Sequence, residues 1–240
     1  MKKMLLLLFL IPLLGKAQIQ PAKVVNAQRV FPKSGKVTAF EKALAAHVAK
    51  YHQSKWKWRV FSIETGPDQG GYQINEGPNS WDEFDHRGDL GAAHMQDWEL
   101  NIAPLLQDFS KVSYAVYRED LSTIALANYT DKIAINHLTY NPGYSGETEE
   151  LLKQLKTNWV STQRSTAVYE VASSGEPGYT IVTRYKDGLK ERDPGYKPSM
   201  KDAFEKNKPG SSQAYQDGLK KAIKNSWSEI LSFQAGLSSK

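Results

Sequence analysis

Two stretches of this chain carry the same punctuation. Residues 24–35 read VVNAQRVFPKSG, and residues 133–146 read IAINHLTYNPGYSG. Asn26 matches Asn136 and Pro32 matches Pro142 at an offset of 110, while Ser34-Gly35 matches Ser145-Gly146 one residue later. A repeat of this kind points to an architecture of two like units, the alternative being one α+β domain with coincidental echoes.

The residues between these markers follow the same order twice. After the strand-like run that closes at Pro32, Val37, Phe40, Leu44, Val48 and Tyr51 fall on one helical face. Trp56, Trp58 and Val60 then alternate with polar residues as a strand does, and GPDQGG turns the chain into YQINE. Met95, Trp98, Ile102, Leu105 and Phe109 return to helical spacing, with Pro104 expected to kink or split that helix, and KVSYAVY closes as a strand. The second half repeats the series: KIAINHLTY, a helix over ETEELLKQLKTNWV, the hairpin STAVYEVAS–GYTIVTRY, a broken helix running through AYQDGLKKAIKNSW, and SEILSFQA. At an offset near 111, Phe40 meets Leu151, Leu44 meets Leu155 and Val60 meets Val171.

Each series is β-α-β-β-α-β, the split βαβ or ferredoxin-like unit. The expected fold class is α+β: two ferredoxin-like repeats, residues 18–124 and 125–240, packed sheet to sheet as a single-chain α/β barrel. The repeat then has a physical reason, since one four-stranded sheet with helices on one face leaves its other face uncovered.

The first seventeen residues are expected to be a cleaved signal peptide: two lysines, eleven apolar residues from Met4 to Leu14, then Gly15-Lys16-Ala17. Eleven apolar residues are too few to span a bilayer, so the mature chain is expected in the periplasm or outside the cell without a stable membrane anchor. There is no cysteine, which excludes disulfides, thiolate metal sites and a lipoprotein anchor. Loss of Lys2, Lys3 and Lys16 lowers the net charge from +5 to +2, and no basic block points to nucleic acid.

Asparagine is disfavoured in strands, so Asn26 and Asn136 are candidates to present an amide to a ligand, or else to pin a strand edge. His94 lies on the stripe that continues through Trp98. It can serve as a general base, a ligand or a core histidine. Tyr72, Trp58, Trp56 and Tyr185 are aromatics on expected strands, able to line a pocket for a flat apolar molecule or simply to pack the core. His47 sits near an apolar seam, with Asn158 in its place in the second half, and His137 points to the opposite sheet face from Asn136. The acidic run WDEFDHRGD matches no metal-ligand spacing, and no metal site is expected.

In element order, and in the short pieces VNAQRVFPKSG, AINHLTYNPG and GAAHMQDW, the chain resembles the dimeric α/β-barrel superfamily in tandem form. That group includes antibiotic-biosynthesis and haem-degrading monooxygenases and the stress-responsive and NIPSNAP barrels. The resemblance implies a pocket shared by Asn26 and His94, which occupy the elements where the haem degraders place such residues; Trp98, Tyr72, Trp58 and Asn136 are the expected ligand contacts beside them. The tryptophan those enzymes carry earlier in the helix has no counterpart, since Trp81 falls too early and Trp98 a turn too late. No cofactor is expected from the residues, and haem enters only through the resemblance. Two classes follow: a barrel that binds a small apolar or aromatic molecule, with cofactor-independent monooxygenase-like chemistry, and a non-catalytic carrier or interaction module. Either is expected to be a monomer, the second repeat standing in for a second subunit.

Overall fold

The protein is described from a computed structural model, which covers residues 23–240. The expected signal sequence lies outside the described residues. Eight strands form one closed antiparallel barrel: β1 (Val24–Val30), β2 (Trp58–Ile63), β3 (Tyr72–Asn79), β4 (Lys111–Tyr117), β5 (Lys132–Tyr140), β6 (Thr166–Ser173), β7 (Gly178–Tyr185) and β8 (Ile223–Phe233). Around the barrel the order is β4-β1-β3-β2-β8-β5-β7-β6, so the two halves present their four strands in the same spatial order.

The sequence reading expected two sheets packed face to face. They instead join edge to edge at two seams, Phe61–Ile63 against Leu231–Phe233 and Tyr114–Tyr117 against Tyr169–Ser173. The reason is hydrogen bonding. Each four-stranded array ends in exposed N–H and C=O groups on β2 and β4, or on β6 and β8, and closure pairs them.

Strand alternation sends one set of side chains outward beneath the helices and the other into the lumen. Helix α1 (Val37–Tyr51) lays Phe40, Leu44 and Val48 on the outward Val30, Trp58, Val60, Tyr72 and Ile74. Helix α4 (Ser145–Ser161) sets Leu152 and Trp159 on Val168, Tyr179 and Ile181. Phe61, Ile63, Ile133, Ile135 and Leu231 form a separate apolar cluster on the inner face.

The second helical region of the first half is divided, as Pro104 requires. The short α2 (Trp81–Asp85) is capped by the Ser80–Glu83 capping box, and α3 (Ala92–Asp97) runs into a π-turn over Trp98–Ile102 and a 3₁₀ turn over Ala103–Leu105. In the second half, α5 (Met200–Asn207) and α6 (Ser211–Ala222) break near Gly210, which takes φ 77° at the start of α6. One boundary departs from the sequence reading. Ile223–Trp227 read as the end of a helix but begin β8, where Ile223, Asn225 and Trp227 pair with Tyr140, Thr139 and His137. Ladder bonds along a complete neighbour outweigh the weak helical preference of KNSW.

Candidate functional site

A cavity of about 310 Å³ occupies the barrel lumen. Its wall is apolar where Val25, Ala27, Phe61, Ile133, Ile135 and Val182 point inward, and polar at both ends. It reaches the surface beside Val112 and Ser174, both exposed, where the β4–β6 ladder has stopped at Tyr114–Ser173. At one end the connector between β4 and β5 closes the barrel. Tyr129 lies under the guanidinium of Arg59 at 3.2 Å, and Arg184 donates to the carbonyls of Ala125 and Leu126 at 3.1 and 3.2 Å.

At the other end sits a buried charge network. Arg29 donates from Nη1 to Asp68 Oδ2 at 2.7 Å and to Glu229 Oε2 at 3.1 Å, from Nη2 to Glu229 Oε1, and from Nε to Gln73 Oε1 at 3.1 Å. Lys111 adds a bond to Asp68. Burial pushes the Asp68 carboxyl up, but the bonds from Lys111 and Arg29 outweigh it and hold the group below its ordinary value. The side chain of Glu229 is fully enclosed and also accepts from His137 Nε2–H at 2.7 Å, while the His137 ring stacks on Trp227 at 3.9 Å. His137 lines the cavity. With Nε2 committed to Glu229, its Nδ1 carries the lone pair, which makes an imidazole oriented by a buried carboxylate and able to take a proton.

None of the six residues singled out from the sequence lines this cavity. Asn26 and Asn136 point outward, opposite in parity to Arg29 and His137. Trp58, Tyr72 and Trp98 pack in or against the core under α1, and the Tyr72 hydroxyl donates to Glu41 at 2.6 Å. His94 is buried on α3 beside two other imidazoles, His47 and His52, with ring centroids 4.8 and 5.3 Å away. Burial lowers the pKa of all three, that of His52 to about 3, so they are neutral near pH 7. Arg29, Asp68, Glu229 and Trp227, together with His52, were not found from the sequence. The available signal was a charged residue inside each of two strand runs, Arg29 in VVNAQRV and Glu229 in SEILSF. His52 gave none, because it follows the helix and turns back only through its bond to the Trp56 carbonyl at 2.8 Å.

The space between α3 and the outward sheet face is taken by Trp58, Trp98 and Ile102. That packing leaves no space for a haem beside His94. No step below uses that cofactor.

The architecture is a closed eight-stranded antiparallel barrel with its helices outside, formed within one chain. No protein-family model matches the sequence, and no curated protein matches it. Solved structures share the fold. One, from Fusobacterium nucleatum and provisionally assigned as a monooxygenase, aligns with TM-score 0.57 and 14% identity over 88% of this chain and 92% of that one. An anthrone oxidase-like protein aligns with TM-score 0.54 and 10% identity, covering 90% and 92%. A chlorite dismutase variant from Candidatus Nitrospira defluvii aligns with TM-score 0.52 and 6% identity, covering 89% and 92%. At these identities the likeness establishes the fold alone.

Proposed function

We propose that this is an exported barrel protein that binds a flat, largely apolar small molecule in its lumen, and that its two halves descend from one duplicated ferredoxin-like unit. The observation that supports the binding reading is the cavity itself: an apolar wall with a few convergent polar groups at its ends, in the size range of ligand sites. The apolar walls would bury the body of the ligand, while Asn75, Ser113 and Thr180 offer it hydrogen bonds.

A second reading goes further and is favoured by the His137–Glu229 pair. His137 Nδ1 would accept a proton from an acidic O–H or C–H of the bound molecule, and Glu229 would stabilise the imidazolium formed. This is the first step expected of cofactor-independent monooxygenase-like chemistry, and two of the fold neighbours are a provisionally assigned monooxygenase and an anthrone oxidase-like protein. Asn26 and His94 stay in the proposal only as outer-face residues, not as lumen contacts.

The test is a fluorescence titration of the mature chain with 1-naphthol and anthrone, read through Trp227 in the cavity wall. Quenching in the wild type that disappears in Ala27→Phe, which fills the lumen, supports the site. Equal quenching in both proteins, or none in either, overturns it. Under air, His137→Gln should keep binding and lose any turnover of anthrone. Turnover unchanged in that variant would remove His137 as the base, and wild-type turnover no faster than the uncatalysed reaction would leave the carrier reading in its place.

A further inference from the structure

We propose that His47, His52 and His94 form a binding site for a zinc-like divalent transition-metal ion, outside the barrel and independent of the lumen. The three imidazoles are brought together by the C-terminal half of α1, the residue that caps it and α3. They are the one group of three or more ligating side chains with metal-binding spacing among the described residues. Their ring centroids are 4.8, 5.3 and 5.3 Å apart, a nearly regular triangle. A tetrahedral ion with Zn–N bonds of about 2.0–2.1 Å holds its ligand nitrogens about 3.3–3.4 Å apart. His52 Nε2 and His94 Nε2 stand 3.3 Å apart.

The protons support the same reading. His47 Nδ1–H donates to Asp97 Oδ2 at 2.6 Å, and His52 Nδ1–H donates to the Trp56 carbonyl at 2.8 Å. Each neutral ring therefore turns its Nε2 lone pair away from those partners. Carboxylate and carbonyl bonds of this type are what orient and polarise metal-bound histidines. His47 Nε2 is buried and has no hydrogen-bond partner. In a metal-free cluster His94 Nε2–H could donate to His52, yet it would leave His47 Nε2 unsatisfied. A cation satisfies all three Nε2 lone pairs at once, while His94 Nδ1 is without a protein partner among the described residues with or without the ion.

The surroundings suit a bound ion. Trp58 stacks on His52 at 3.6 Å, and Trp98 meets His47 edge-on at 5.7 Å, a dry apolar shell. The neighbouring cation Arg87 is neutralised by Glu76, with Nε to Oε1 at 2.6 Å. Three imidazoles leave the fourth position of a tetrahedral ion to water or a small anion. Imidazole ligation selects zinc, copper or nickel over calcium and magnesium. The second half lacks the site. Asn158, in the place of His47, has its amide spoken for by the Gln154 carbonyl and the Asn207 side chain.

The experiment uses the untagged mature chain, stripped with EDTA and titrated with Co²⁺. One equivalent should give the visible d–d bands of tetrahedral cobalt, displaced by one equivalent of Zn²⁺, with a rise in Tm on metal addition. His47→Gln and His94→Ala should lose the bands and the Tm rise. His86→Ala, at an exposed histidine, and Ala27→Phe, in the lumen, should keep both. Absence of bands and Tm rise in the wild type overturns the proposal without reference to any variant. So does their survival in folded His47→Gln or His94→Ala.

Discussion

Arg29 ties together two distant parts of the chain, Asp68 and Gln73 in one and Glu229 in the other, and the charges it holds are buried. Removing one member of such a network leaves the others buried and unpaired, which costs about 3–5 kcal/mol. Arg29→Met should therefore lower the unfolding free energy obtained from urea titration at pH 7 by that much. A loss below about 1 kcal/mol would show that water or rearrangement compensates. Asp68 gives the network a pH dependence. Its folded pKa lies below the ordinary 3.8. As pH falls beneath that value, the unfolded chain takes up the proton first, and the stability due to ionised Asp68 is lost through the folded pKa. The penalty of Asp68→Asn measured at neutral pH should therefore shrink below about pH 4. A gap that stays constant to about pH 2 would mean the carboxylate is not what Lys111 and Arg29 hold. The pairing was not legible in the sequence, because the network joins residues 200 positions apart, although a charged residue within each strand run marked its two ends. The His94 stripe was legible, since burial follows helical spacing, but the other two rings of its cluster come from a helix and a cap that spacing does not connect to it.

At the level of elements, period and punctuation carried the reading. Alternation at Trp58–Val60, helical spacing from Phe40 to Val48 and the break at Pro104 each recur in the structure, because burial of one face is what those patterns encode. The α6–β8 boundary failed where local preference was weak and a partner strand decided. A second element feature depends on a single glycine. The β1–β3 register shifts between Val24 and Asn26, and Gly77 sits in the extra stretch with φ 114°. A Cβ there would lie 2.7 Å from the Val24 carbonyl oxygen. Gly77→Ala is both strained and obstructed, and it should cost about 2–3 kcal/mol by urea unfolding. Gly70→Ala, also at positive φ (85°) but with open space around it, should cost about 1 kcal/mol. Equal losses at the two sites would refute the bulge as the cause.

At the scale of the whole molecule, the two seams decide how the chain behaves as a unit. Neither half is closed on its own: separated, each would expose β2 and β4, or β6 and β8, as free edges, together with an inner face carrying Phe61 and Ile63 or Ile133, Ile135 and Leu231. Arg29 and Glu229 cross between the halves inside the lumen, and Arg118 on one half pairs with Glu149 and Glu170 on the other beside the β4–β6 seam. Breaking either half therefore removes the partner surface of the other, so the barrel should unfold as one cooperative unit despite its two-part plan. Far-ultraviolet circular dichroism and tryptophan fluorescence should give coincident urea transitions, and residues 23–124 alone should show no cooperative transition. The same closure leaves no free sheet edge among the described residues to recruit a second chain, so residues 23–240 should run at monomer mass in light scattering. A stable isolated half, or two separated transitions, would mean that the halves fold independently and that the seams are contacts between finished domains. The structure argues otherwise, because the strands that end one half are the hydrogen-bond partners of the strands that end the other.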